Sequence, residues 1–223
     1  MPKKFDAVLF DIDGTLLDTK ELIFQAFYHT LLKCNISMTR EQAFSFPGMK
    51  LAEYYKFFAP DFDTEELSAE HRKFQDKNLH LTKIFPNVSE TLDQLFKAGF
   101  KKAAVTNRGG GSVTPTLELT NILHYFSAIV TVDDVVNPKP HPEPIVKALA
   151  LLNVKPHRAI MIGDTEVDII AGREAGVQTI GVSYGFHGRR IAESKPDFIV
   201  RDIKDILSII LAVRYTSVVY KNG

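Results

Sequence analysis

The stretch Ala7-Val8-Leu9-Phe10-Asp11-Ile12-Asp13-Gly14-Thr15-Leu16-Leu17-Asp18 decides how the rest of the chain is read. A run of strand-forming apolar residues ends in two carboxylates, a glycine and a hydroxyl. In an extended segment residues i and i+2 point the same way, so Asp11 and Asp13 project together from the end of a buried strand. Two neighbouring carboxylates repel one another unless a cation lies between them or one keeps its proton. The first arrangement is a site for a hard divalent cation and the second is an acid/base. A third reading, a plain hairpin turn at Asp13-Gly14, fits the same residues. The choice is made downstream.

Outward from that strand, the chain of 223 residues is long for one compact domain and suits a domain carrying a smaller insertion. With 45% hydrophobic and 24% charged residues it can bury a core. Lys+Arg and Asp+Glu are equal at 27 each, so no excess charge calls for nucleic acid or an anionic membrane as partner. One cysteine, Cys34, rules out an internal disulfide framework, fits a reducing compartment, and reads as packing on an apolar helical face. Lys3 and Lys4 precede an apolar run that Asp11 and Asp13 interrupt, which is not a signal peptide, and no window is apolar for a transmembrane length. A cytoplasmic protein is expected.

After the opening strand the period changes. Ile23, Phe27, Leu31 and Cys34 recur at helical spacing, as do Leu51, Tyr54, Tyr55 and Phe58, with Asp18-Thr19 as a helix start. Residues 17–83 carry no convincing strand and read as an inserted helical block on short, hinge-like connections; residues 1–16 and 84–223 form the core. Strand and helix then alternate. Asn87 and Glu90 stand at capping-box spacing with Gly99 as a stop, and 102–107 is a strand. Gly109-Gly110-Gly111, lacking the spacing and lysine of a phosphate loop, reads as a flexible connection, with Pro115 near the first turn of the next helix. Strands follow at 128–132, 158–164, 178–182 and 197–200. Helices begin at Pro142/Pro144 and Glu166, and a last one covers about 203–213. The fold class is α/β, a Rossmann-like, mainly parallel sheet with a helical cap inserted. Asp11 and Asp13, Thr106 and Asn107, Asp133 and Asp134, and Asp164 all fall at carboxyl ends of strands, the edge where open parallel sheets bind ligands.

These residues resemble the motifs of the haloacid dehalogenase-like hydrolases. Asp11-Ile12-Asp13-Gly14-Thr15-Leu16-Leu17-Asp18 is similar to the first motif, and Thr106-Asn107 to the second. Asn137-Pro138-Lys139-Pro140-His141-Pro142-Glu143 is similar to the third, and Gly163-Asp164-Thr165-Glu166-Val167-Asp168 to the fourth. The four stand in family order, and the helical block between the first two is placed like a phosphoglycolate phosphatase cap. The resemblance implies a nucleophile at Asp11, forming an aspartyl-phosphate, and a general acid and base at Asp13. It implies Mg²⁺ held by Asp11, Asp164 and the backbone carbonyl of Asp13, with Asp168 as an outer or water-mediated ligand. Lys139 would neutralise phosphoryl oxygens, and Thr106 and the Asn107 amide would donate to them. Taken singly, Lys139 also reads as a loop lysine, Thr106-Asn107 as a turn, Asp164 as a helix cap and Asp168 as a solvated face.

The implied function is Mg²⁺-dependent hydrolysis of a small phosphorylated metabolite of phosphoglycolate type, by a monomer or weak homodimer. A mutase resembling β-phosphoglucomutase, a pyrophosphatase of the same family and a non-catalytic binding protein are the alternatives. Gly48-Met49-Lys50-Leu51-Ala52-Glu53 has no arginine where the mutases usually carry one, which lowers the mutase reading. Lys50 is a cap residue that could reach substrate. The seven histidines show no ligand-like spacing and read as surface or core residues.

Overall fold

In the computed structural model, residues 4–46 and 49–211 are described. β1 (Ala7–Phe10) is followed by the two-residue β2 (Leu17–Asp18). Four helices come next: α1 (Lys20–Leu32), α2 (Arg40–Ala43), α3 (Leu51–Phe58) and α4 (Thr64–Lys77). β3 (Lys83–Ile84) returns the chain, and alternation begins with α5 (Val88–Lys97), β4 (Lys101–Val105), α6 (Gly110–Leu119) and β5 (Ala128–Val130). It continues with α7 (Glu143–Leu152), β6 (Ala159–Gly163), α8 (Glu166–Glu174), β7 (Gln178–Val182), β8 (Phe198–Val200) and α9 (Ile206–Ile210).

Six strands pair in parallel in the order β5-β4-β1-β6-β7-β8. β1 is central, and after β5 the chain crosses from its β4 side to its β6 side. A crevice opens at such a switch point, beyond the carboxyl ends of the strands. Every residue of β1 is buried because both faces of the sheet are covered. Val8, Phe10, Ala104, Ile160 and Ile162 meet α5, α6 and α9 on one face; Ala7, Leu9, Val105 and Met161 meet α7 and α8 on the other. The period-2 alternation thus sorts a continuous apolar run between two cores.

The helices α1–α4 have a core of their own, in which Phe27, Leu31, Met38, Tyr54, Tyr55 and Leu67 are buried together. Phe27 stacks on Tyr54 with ring centroids 4.0 Å apart. Thr39 and Gln42 close a reciprocal capping box on α2, and Asp63 accepts from the N–H groups of Glu65 and Glu66 at the start of α4.

Several local expectations are corrected. Leu17–Asp18 and Lys83–Ile84 pair antiparallel, so the segment read as strand-free has a small ribbon at its root; two residues are too few to display alternation. Gly109 to Gly111 form no loose connection. Gly109 precedes α6 and the other two lie in its first turn, where the Gly110 N–H donates to Asp133 Oδ2 at 2.7 Å. Pro115 therefore stands in the second turn and cannot donate to the carbonyl of Gly111. Asn87 sits in the left-handed region (φ 65°) and makes no cap; its amide donates to Asp202 instead. Strand β5 stops at Val130, and Thr131 and Asp134 cap the turn Val132–Asp134, which gives Asp133 and Asp134 structural work. The last helix ends at Ile210, and positions 212–213 of the expected one lie outside the described residues, as does Gly48.

Lys102 is an ammonium buried in β4, 1% exposed, with the carbonyl of Phe100 at 3.1 Å as its hydrogen-bond acceptor and the ring of Phe96 at 5.0 Å. Burial lowers its pKa from 10.5 to about 8. Below pH 8 the folded chain carries the full cost of that buried charge, and the cost fades as pH rises from about 8 towards 10.5. Lys102→Met should therefore raise stability in denaturant at pH 7, with a smaller gain at pH 9.5. A gain that grows with pH would contradict this account.

Candidate active site

Asp11 follows β1, and its N–H extends the ladder to the Ile162 carbonyl at 2.9 Å. The chain then turns sharply: Thr15, Leu16 and Leu17 all donate to the carbonyl of Ile12, and Gly14 donates to Leu17. Gly14 has φ +88°, and a Cβ there would run into the Asp164 carboxylate, so the turn requires glycine on both counts. Asp164 follows β6 on the neighbouring strand. Parallel register sets Phe10 beside Ile162, and this brings Asp11 and Asp164 together.

Lys139 is 2% exposed and spends its three protons on three acceptors. Its Nζ reaches Asp11 Oδ1 at 2.7 Å, Asp168 Oδ1 at 2.6 Å and the Val105 carbonyl at 2.7 Å. Its backbone is held from both sides by Asn107, whose Nδ2 donates to the Lys139 carbonyl while its Oδ1 accepts from the Lys139 N–H. Asp168, in the first turn of α8, also accepts from the N–H and hydroxyl of Thr165. It is 1% exposed, which removes the reading of a solvated helical face. Asp164 accepts from the Thr15 hydroxyl at 3.2 Å and the Phe186 N–H at 2.6 Å. The other oxygen of Asp11, Oδ2, accepts no hydrogen bond among the described residues.

The electrostatics are unbalanced. Burial raises the Asp11 pKa to about 7, with Lys139 pulling it down and Asp168 pushing it up. Burial, followed by the charges of Asp11 and Asp168, raises Asp164 well above the carboxylate range. Burial works against the Lys139 ammonium, but Asp11 and Asp168 outweigh it and hold its pKa above the ordinary value. Ligand oxygens of Asp11, Asp164 and Asp168 lie within 4.8 Å of one another. Ionised together, three carboxylates around one ammonium leave two negative charges uncompensated. A divalent cation supplies that charge, and an all-oxygen donor set suits Mg²⁺. The residues present fit a metal of this kind.

The expected site residues gather here. Asp11, Asp13, Thr106, Asn107, Lys139 and Asp168 line a cleft of about 380 Å³, whose other wall comes from the helical block, with Phe44, Lys50, His71 and Arg72 among its residues. Asp164 lies beneath, fully buried. The Asn107 side chain is engaged with Lys139, and the Thr106 hydroxyl accepts from the N–H of Arg108 at 3.1 Å.

Four groups escaped the sequence reading. Arg108 lies against Asp13, its Nη1 3.4 Å from Oδ1, and is braced by Ser112 at 2.8 Å and Thr116 at 3.0 Å. His71 and Arg72 come from α4, and Thr165 is the N-cap residue of α8. Arg108 had one available signal, its position directly after Thr106-Asn107 at a strand end. His71 had none, because only packing turns it towards the cleft.

A parallel doubly wound sheet with a carboxylate-lysine cluster at its switch point and a helical insertion after the first strand defines a class of hydrolase. Residues 8–182 match the model of the haloacid dehalogenase-like hydrolases, and this chain belongs to that family. Pyrophosphatase PpaX of Bacillus thuringiensis is 39% identical over 210 residues, covering 93% of this chain and 97% of the relative. A predicted phosphoglycolate phosphatase from Haemophilus somnus superposes with a TM-score of 0.86 at 27% identity, over 94% of this chain and 99% of its own. A β-phosphoglucomutase from Clostridium difficile shares the fold at TM-score 0.78 and 20% identity, over 91% and 93% of the two chains. No helix among the described residues is long and apolar enough to cross a membrane.

Lys139→Met would leave Asp11 and Asp168 buried without their cation. Losing one partner of a buried ion pair costs about 3–5 kcal/mol. Urea unfolding of the variant in chelator should show a loss of that order, and added Mg²⁺ should recover part of it. An unchanged midpoint in chelator would disprove the role given to this ammonium.

Proposed function

We propose that this enzyme is a Mg²⁺-dependent phosphatase working through an aspartyl-phosphate on Asp11, and that inorganic pyrophosphate is its substrate. The observation that carries the reaction type is the pairing of Asp11 with Lys139 inside the acidic cluster: one carboxylate oxygen is fixed by the ammonium and the other is left unengaged. The substrate follows the 39%-identical relative named a pyrophosphatase.

In this reading Asp11 Oδ2 attacks phosphorus in line, and the bond to the leaving oxygen breaks with its electron pair departing on the leaving group. Asp13, beside it in the cleft, gives a proton to that oxygen. It then takes one from the water that attacks the aspartyl-phosphate, releasing phosphate and restoring Asp11. Lys139 holds Asp11 in place and offsets charge on the phosphoryl oxygens, and Thr106 and the backbone N–H of Asn107 are candidate donors to the same oxygens. Asp11, Asp164, Asp168 and the carbonyl of Asp13 are the residues for the Mg²⁺, which when bound would neutralise phosphoryl charge. The helical block at 17–83 acts as the cap that shields the cleft from bulk water and sets substrate choice. Phosphoglycolate is the second reading, supported by the neighbour of that predicted activity.

Exhaustive chelation should abolish release of phosphate from pyrophosphate, and Mg²⁺ should restore it; full activity in chelator would sink the reading. Asp11→Asn should lose turnover by on the order of 10⁴-fold or more while keeping its circular dichroism spectrum. A folded variant with near-normal kcat would remove Asp11 from the nucleophile's place.

A further inference from the structure

The cleft holds cations that phosphoryl chemistry at Asp11 does not use. Arg108 is built into the core side, its side chain 7% exposed and braced through Nε and Nη2, so its charge faces Asp13 in one fixed place. Arg72 comes from α4 in the opposite wall, is exposed, and has no carboxylate partner among the described residues. His71, beside Arg72 in α4, lines the same cleft; it is 3% exposed, with its Nδ1 2.8 Å from the Tyr55 hydroxyl. Burial, then the charges of Arg72 and Arg108, push the His71 pKa down to about 3, so the ring is neutral near pH 7. Arg108 and Arg72 line one cleft from its two different walls.

Asp13 is the residue proposed to meet the leaving oxygen, so Arg108 beside it stands on the leaving-group side, while Arg72 lines the same cleft from the opposite wall. Ester cleavage ends with a protonated, neutral alcohol there, which gains little from two guanidinium groups. Cleavage of an anhydride ends with a phosphate that keeps its charge, and guanidinium binds phosphate oxygens in a planar fork. A leaving group carrying a carboxylate has the same need in weaker form.

We propose that Arg108 and Arg72 form a subsite for an anionic leaving group, which selects substrates whose departing half retains its own negative charge. The inference rests on the phosphatase reading above and specifies its substrate class: pyrophosphate, or a phosphoester with an anionic tail. Arg108 fixes the near end from the core, and Arg72 completes the subsite from the cap.

The test compares kcat/KM for pyrophosphate, 2-phosphoglycolate and phenyl phosphate, all with Mg²⁺, in the unchanged enzyme and in Arg72→Met and Arg108→Gln. Arg72 is exposed, so its variant should fold. Arg72→Met should lower kcat/KM for pyrophosphate by on the order of ten- to a hundredfold, and that for phenyl phosphate by less than about twofold. Arg108→Gln should add a loss on phenyl phosphate because it also touches Asp13, yet the loss on pyrophosphate should be larger. A preference for pyrophosphate over 2-phosphoglycolate in the unchanged enzyme identifies the occupant as phosphate, and the reverse identifies a carboxylate. Equal losses on all three substrates, or none in Arg72→Met, overturn the subsite while leaving the phosphatase intact. An unchanged enzyme that cleaves phenyl phosphate as well as the two anionic substrates also overturns it. One that cleaves none of them overturns the phosphatase reading itself.

Discussion

The ammonium of Lys139 is the contact on which the rest of the site depends. It joins the ends of three elements distant in sequence: Asp11 after β1, Val105 at the end of β4, and Asp168 in α8. Each of those groups would be costly alone in a dry interior, and each is an acceptor for the one cation placed among them. The arrangement is over-determined, since Asn107 clamps the lysine's backbone and Thr165 clamps Asp168. What it leaves over is negative charge, and that excess is the chemical reason the cluster suits a divalent metal.

The structure also divides labour between its two walls. On the core side Asp11, Lys139, Asp164 and Asp168 are buried, and the last three are each fixed by more than one hydrogen bond. Across the cleft, Lys50, the N-cap residue of α3, and Arg72 of α4 are exposed, on a helical block whose packing rests on aromatic residues such as Phe27, Tyr54 and Tyr55. Changing a core-side group disturbs the charge balance of the interior. Changing exposed Lys50 or Arg72 leaves the hydrogen bonds of the buried Asp11–Lys139–Asp168 cluster in place.

How much of this could be read from the sequence followed from range. The sheet was legible because β1 and β6 are continuous apolar runs, β4 and β7 finish on apolar residues, and each is followed by a polar one, so both the pattern and the edge are local facts. Asp11, Asp13, Lys139, Asp164 and Asp168 were legible as motifs in a fixed order. The misread pieces were those settled by distant partners. Gly110 starts a helix because Asp133, a full strand away, caps it. Asn87 gives up its cap to reach Asp202, and Arg108 acquires its place from Ser112, Thr116 and Asp13 together. Asp168 was legible from its motif, whereas its hydrogen bond to Lys139 is settled by packing.

The central position of β1 has a consequence for synthesis. It is made before the other five strands of its sheet, yet its neighbours are residues 101–104 on one side and 159–162 on the other. From its emergence until β6 follows, this fully apolar strand has at least one edge open, and until β4 is made it has two. The helical block made next is held together largely by contacts within itself, so it can settle early. The nascent chain therefore carries a folded insertion on an unfinished core for much of its translation. The charges of Asp11 and Asp13, set immediately after the apolar run, are during that interval the nearest guard against the strand pairing with another chain.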